Sequence, residues 1–128
     1  MRVTSDFFVS AFVRKAFATG GFASVSRKGA AEAGAVFISV DRMDGTLDLY
    51  GPAPQAMFMD QPQGRLFEKV LSSVDQEAVT ARLAREARMD PDYWLVEVEA
   101  RDGAVDLPLA EEDSPAPGGE DPNAFFKF

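Results

Sequence analysis

The chain has 128 residues, enough for one domain with a real core and too few for two. It contains no Cys and no His, which excludes disulfides, thiol nucleophiles, thiolate zinc sites, iron–sulfur clusters, imidazole general bases and imidazole metal ligands. The net charge of −8 is uneven: residues 101–128 carry seven acidic and two basic side chains, so five of the eight net negative charges sit there.

An acidic balance argues against nucleic-acid binding, where Lys and Arg supply affinity by neutralising phosphates. Nearly half of the residues are hydrophobic and 11 are Phe, so a packed interior is expected. The apolar run Phe7–Val13 follows Asp6 and stops at Arg14-Lys15. It is too short and wrongly flanked for an export signal, and no stretch approaches a membrane span. A soluble cytoplasmic protein is the expectation.

Thr4, Ser5 or Asp6 can cap a first helix over about Phe7–Ala18, which Gly20-Gly21 ends. Phe8, Phe12 and Ala16, with Val9, Val13 and Phe17 beside them, form a wide apolar stripe suited to lying across a sheet. Arg14 and Lys15 suit the negative end of the helix dipole. With Arg27-Lys28 they could instead bind phosphate, against the plainer reading of a solvated face. Phe22–Lys28 reads as a strand, and Gly29–Gly34 as a small-residue connection without the spacing of a phosphate loop.

Gly34–Gly51 is the clearest signal. Val36, Ile38 and Val40 alternate with Phe37, Ser39 and Asp41, and Leu47 and Leu49 alternate with Thr46, Asp48 and Tyr50 around Asp44-Gly45. Asp-Gly is a favoured two-residue hairpin loop. That turn sets Val40 opposite Leu49 and Arg42 opposite Leu47, giving Ile38, Val40, Leu47 and Leu49 one apolar face. It also sets Asp41 opposite Asp48, an unfavourable pair. A longer loop with a bulge, solvent screening, or a cation held by Asp41, Asp44 and Asp48 would each relieve it.

Gly51-Pro52-Ala53-Pro54 stops the hairpin. Ala56–Met59 is a short apolar piece, Gln61-Pro62-Gln63-Gly64 a turn, and Arg65–Leu71 a further strand. A second helix runs over about Val74–Met89, with Ser73 and Gln76 as a capping box and Val79, Leu83 and Ala87 as a narrow apolar stripe. Arg82, Arg85 and Arg88 fit its dipole and pairing with Glu86 better than a phosphate site. Asp90-Pro91-Asp92 breaks the helix before the strand Tyr93–Ala100, where Trp94, Val96, Val98 and Ala100 share one face and Glu97 and Glu99 the other. Trp94 reads as a core anchor whose indole N–H seeks a partner.

From residue 103 the composition turns acidic and rich in Pro and Gly, then ends in Phe125, Phe126, Lys127 and Phe128. Aromatic side chains on an acidic leash form a candidate protein-docking peptide. The plainer alternative is a dangling or internally packed end.

The order of these segments resembles a small uncharacterised alphaproteobacterial family, domain of unknown function family 1491. The residues that carry the likeness are Arg27-Lys28-Gly29, Ala33–Ile38, Asp44-Gly45, Tyr50–Pro54, Asp90–Trp94 and Val96–Glu99, within residues 1–102. The resemblance implies a compact bacterial domain and brings no activity, ligand or catalytic residue with it.

The expected fold is α+β: a mostly antiparallel sheet of four to five strands with two helices packed on one face, in a domain over residues 1–102 followed by a tail over 103–128. The leading functional reading is a non-enzymatic protein-binding or adaptor domain whose partner is another protein, with no cofactor, nucleic acid or membrane implied. The alternative is a small-ligand sensor with a pocket between sheet and helices. An enzyme comes third, and its only candidate carboxylates are Asp41, Asp48, Glu97 and Glu99.

Overall fold

The computed structural model of the chain describes residues 4–53 and 65–109. They form α1 (Ser5–Ala18), β1 (Phe22–Arg27), β2 (Val36–Asp41), β3 (Leu47–Pro52), β4 (Phe67–Val74), α2 (Gln76–Met89) and β5 (Trp94–Glu99). The Ala56–Met59 piece, the Gln61–Gly64 turn and the Phe125, Phe126 and Phe128 segment lie outside the described residues.

Helix α1 starts two residues before Phe7 because Thr4 takes the cap, its hydroxyl accepting from the Phe7 N–H at 3.4 Å. Ser5 is thereby turned inward, where its hydroxyl donates to the Gly34 carbonyl and accepts from Arg65 at 2.6 Å. Gly20 and Gly21 close the far end by returning their N–H groups to Phe17 and Ala16.

The five strands lie in the order β1-β5-β2-β3-β4. All pairs are antiparallel except the central one, β5 with β2, where Val36 lies beside Trp94 and Val40 beside Val98. The sheet is therefore the mostly antiparallel one expected, in an α+β fold.

The helices do not share a face. Val9 and Phe12 of α1 pack with Val36, Ile38, Val40, Trp94, Val96 and Val98 on one side. Val79 and Leu83 of α2 pack with Phe37, Leu49 and Tyr93 on the other. The expectation of one covered face is corrected, and the reason is visible in β2, whose residues 36–40 are all buried. A strand covered on both sides must bury both parities of its side chains.

The hairpin register also differs from the expected one. The loop is five residues, 42–46, closed by the Arg42 N–H on the Thr46 carbonyl at 3.1 Å, with positive φ at Met43 (66°) and Gly45 (92°). Asp41 lies opposite Leu47, Val40 opposite Asp48, and Ser39 opposite Leu49. This slip of one residue turns Leu47 and Leu49 onto the α2 face, away from Ile38 and Val40. It also separates Asp41 from Asp48, as the longer-loop reading requires.

Strand β4 runs three residues past Leu71, and α2 is capped by Asp75, which accepts from the Ala78 N–H at 2.9 Å, and not by Ser73. Ser73 is unavailable because its own N–H is given to Asp48 at 2.7 Å and its φ is 53°. Past Glu99 the chain crosses the α1 face. Leu107 is buried there, and Leu109 bridges to Phe67 beside the Phe67 N–H bond to Pro108. Among the described residues packing onto the domain continues through residue 109.

Opposite faces give a direct test. Phe12→Ala should cost about 3–5 kcal/mol in denaturant melts, the range for truncating a buried Phe. The milder Phe12→Leu and Leu83→Val, each costing about 1 kcal/mol, should add in the double variant to within about 0.5 kcal/mol, because the sheet stands between them.

Candidate functional site

Among the described residues Asp48 is the one carboxylate that the fold encloses completely, with 0% of its surface exposed. Its oxygens accept from Arg42 at 2.9 Å and the Ser73 N–H at 2.7 Å, and the Lys69 ammonium stands 3.6 Å away. Burial is the largest influence on its pKa and raises it. The Ser73 N–H, the Arg42 hydrogen bond and the charges of Lys69 and Arg42 together outweigh that and hold it below the ordinary value of 3.8. Every lone pair in use serves the joint between the hairpin loop, β3 and the end of β4. Asp48 is structural.

Asp41 and Asp44 are occupied locally. Asp41 accepts from the Met43 N–H at 2.8 Å, and Asp44 from the Thr46 hydroxyl at 2.6 Å and its N–H at 2.9 Å. The Thr46 bonds hold the Asp44 carboxyl below its ordinary value. Asp48 faces the other side of the sheet from Asp41, since Asp41 pairs with Leu47 and Asp48 with Val40. What the structure does gather is Asp41 with Glu97 and Glu99, around a cleft of about 110 Å³. Among the described residues no three acidic side chains are grouped so as to hold a metal ion.

The basic residues separate by role. Lys15 pairs with Asp106. Arg27 donates to the Pro91 and Tyr93 carbonyls and lies 4.4 Å from the centre of the Tyr93 ring. Arg82 pairs with Glu86 at 2.9 Å, as its helical spacing suggests. Arg14, Lys28, Arg85, Arg88 and Arg101 are exposed and without an ion pair among the described residues, and of these Arg14 and Lys28 stand on the rim of a shallow groove of about 570 Å³ between α1 and β1. The groove's apolar lining is Val9, Val13, Val25 and Trp94, and Asp6 lies at its helix-start end.

That groove adjoins a free sheet edge. Among the described residues β1 pairs only with β5, and Phe22 and Val25 are 46% and 44% exposed along it. Phe17 at the end of α1 is 52% exposed and meets Phe22 edge to face with ring centres 5.7 Å apart. The opposite edge, β4, is broken by register shifts and touched by Leu109, and carries Glu68 and Lys69. On β1 the register shift and the one charge come only at its end, between Val25 and Arg27, and the run Phe22–Ser26 carries no charge. Its signal in the sequence was the string FASVS, where burial does not alternate cleanly; sequence reasoning read a strand there but not an edge.

Most of the residues that carry the family resemblance meet at one end of the sheet. Ala30 donates to Asp92 at 2.9 Å, Ala35 to the Asp90 carboxylate at 3.0 Å, and the Trp94 indole to Ala30 at 2.7 Å. A side chain at Gly29 or Gly34 would collide with the Asp92 carbonyl. These residues hold the fold together and bear no reactive group into a cleft.

Fold and site define a small α+β domain whose charged side chains brace its joints and whose unprotected apolar surface follows one sheet edge. The family described as "protein of unknown function (DUF1491)" matches residues 3–107, and the chain belongs to it. It is similar to a protein of A. tumefaciens known from its solution structure, with 45% identity over 86% of this chain and 100% of that one and a TM-score of 0.71. The crystal structure of a DUF1491 family protein from Caulobacter crescentus CB15 matches with 37% identity over 86% of this chain and 100% of that one, TM-score 0.67. No curated protein matches the chain. No helix among the described residues is long and apolar enough to cross a membrane.

Two outcomes check the carboxylates. Asp48→Ala should cost about 3 kcal/mol at pH 7, the lower end for breaking a buried pair, because Arg42 and Lys69 keep contact with water. A carboxyl whose pKa falls on folding stabilises fully above its unfolded value and progressively less as pH drops through the folded one. Wild type should therefore lose this contribution below about pH 3.8, the ordinary carboxyl value, and the stability difference from Asp48→Ala in urea melts should shrink there. Calcium or magnesium should leave the melting temperature unchanged, since Asp41, Asp44 and Asp48 point to separate partners.

Proposed function

We propose that this chain is a non-enzymatic, cytoplasmic protein-binding domain that takes an extended segment of a partner protein onto the free edge of β1. The observation that carries the reading is the unprotected edge itself: exposed Phe22 and Val25, with Phe17 beside them and no charged residue between Phe22 and Ser26. An open edge offers backbone N–H and C=O groups for pairing, while alternate side chains of the added strand fall on either face and supply selectivity. The groove beside Val25 gives one of those faces an apolar floor.

The sensor reading has weaker support. The α1–β1 groove of about 570 Å³ is a shallow open trough that encloses nothing, and the cleft between α1, β5 and residues 104–106 holds about 160 Å³, below the roughly 300–1,000 Å³ of ordinary small-ligand pockets. The enzyme reading lacks a gathered acid–base pair with a substrate-sized cleft beside it. Asp48 is bound up with Arg42 and Ser73, and Asp41, Glu97 and Glu99 surround only about 110 Å³.

Replacing Phe22→Lys together with Val25→Lys sets two charges on the edge at positions that contribute little to the core. Circular dichroism should show the fold intact, with melting lowered by only a few degrees. Affinity capture from an alphaproteobacterial lysate should retain a partner on the wild-type chain and lose it on the double variant. Recovery of the same proteins in the same yield would sink the reading.

A further inference from the structure

Resting on the β1-edge reading, we propose that the chain's own segment Phe125–Phe128 is a ligand of that edge, pairing with β1 and seating its aromatic side chains in the α1–β1 groove. The match is one of alternation and charge together. A strand added outside β1 places every second side chain on the face of Val25, above the floor of Val9, Val13 and Trp94. Phe126 and Phe128 share one parity and would enter that groove. Lys127 has the other parity and would turn to the face that carries Glu97 and Glu99, which are the neighbours of Ser24 and Phe22 across the β1–β5 ladder. The same segment set one residue out of this register would present Lys127 to the apolar floor.

The charges preceding the segment agree. Glu111, Glu112, Asp113, Glu120 and Asp121 precede Phe125, and the groove's rim holds Arg14 and Lys28, exposed and without an ion pair among the described residues. Opposite charges at a rim guide association and register more than they add affinity. Reach is sufficient. Residues 110–125 extend to about 50 Å at roughly 3.3 Å each, whereas a domain of about 100 residues has a radius of gyration of about 13 Å. Tethering raises the local concentration of such a segment to the millimolar range, so even a weak ligand occupies the edge. A partner's strand would compete with it for the same row of backbone groups.

Because the chain has no cysteine, Asn123→Cys places a single nitroxide label two residues before Phe125 in the full-length protein. Amide signals of Val13, Val25 and Lys28 should lose at least half their intensity relative to the reduced label, and those of α2 should not. The loss should be unchanged on tenfold dilution. It should be abolished when Phe126→Ala and Phe128→Ala are added, and weakened by Arg14→Glu with Lys28→Glu. Absence of the loss overturns the proposal, as does its persistence in the Phe126→Ala/Phe128→Ala protein. Disappearance on dilution would assign the groove to the segment of a second copy and also overturn it. No label contact, combined with lost capture by the Phe22→Lys/Val25→Lys variant, would defeat this inference alone. Label contact with undiminished capture would defeat the partner-docking reading and leave this one standing.

Discussion

The parallel pairing of β2 with β5 is the constraint on which the other elements depend, and a small knot of backbone contacts secures it. The Trp94 N–H bonds the Ala35 carbonyl at 2.7 Å, while the Ala35 N–H goes to the Asp90 carboxylate and the Trp94 indole to Ala30. The 29–34 loop can lie against Asp92 because Gly29 and Gly34 have no side chain to obstruct it. With β2 and β5 side by side at the centre, β1 joins on one flank and the β2–β3–β4 meander on the other. A parallel central pair needs a crossover between its strands, and the crossover through β4 and α2 puts α2 on the face away from α1.

Asp48 is the second joint. Enclosing a carboxylate is costly, and it is tolerated here because three donors from two segments converge on it: Arg42 of the hairpin loop, and Lys69 and the Ser73 N–H of β4. The same contacts select the hairpin register. Were the loop shortened to two residues, Asp48 would face the α2 side and Leu47 and Leu49 the α1 side, leaving Val79 and Leu83 without their partners and Arg42 and Lys69 without their acid.

Much of the charge is architectural. Arg27, Arg42, Lys69, Arg82 and Asp90 are all engaged within the fold. Around β1 the architecture leaves unused an edge strand, the exposed side chains of Phe17, Phe22 and Val25, and a groove with two cations on its rim. These are the materials of recognition by backbone pairing, which needs no catalytic group and no enclosed cavity.

Local pattern was enough to read the elements. Period-two alternation marked β2, β3 and β5, the apolar stripe and Gly20-Gly21 bounded α1, and the lone Trp was correctly read as an anchor with a bonded indole. The chemistry excluded by the absence of Cys and His was equally plain, because composition needs no geometry. The tertiary structure alone decided which face each helix covers, the hairpin register and the identity of the free edge. Alternation says that a strand has two faces without saying what covers them, and a slip of one residue preserves the alternation while exchanging every side chain between those faces. The exposure of Phe22 and Val25 depends on β1 pairing with β5, with Phe22 opposite Glu99 near the other end of the described chain. No local window of sequence contains both partners of that pairing, so only the folded chain could show which strand was left with an open side.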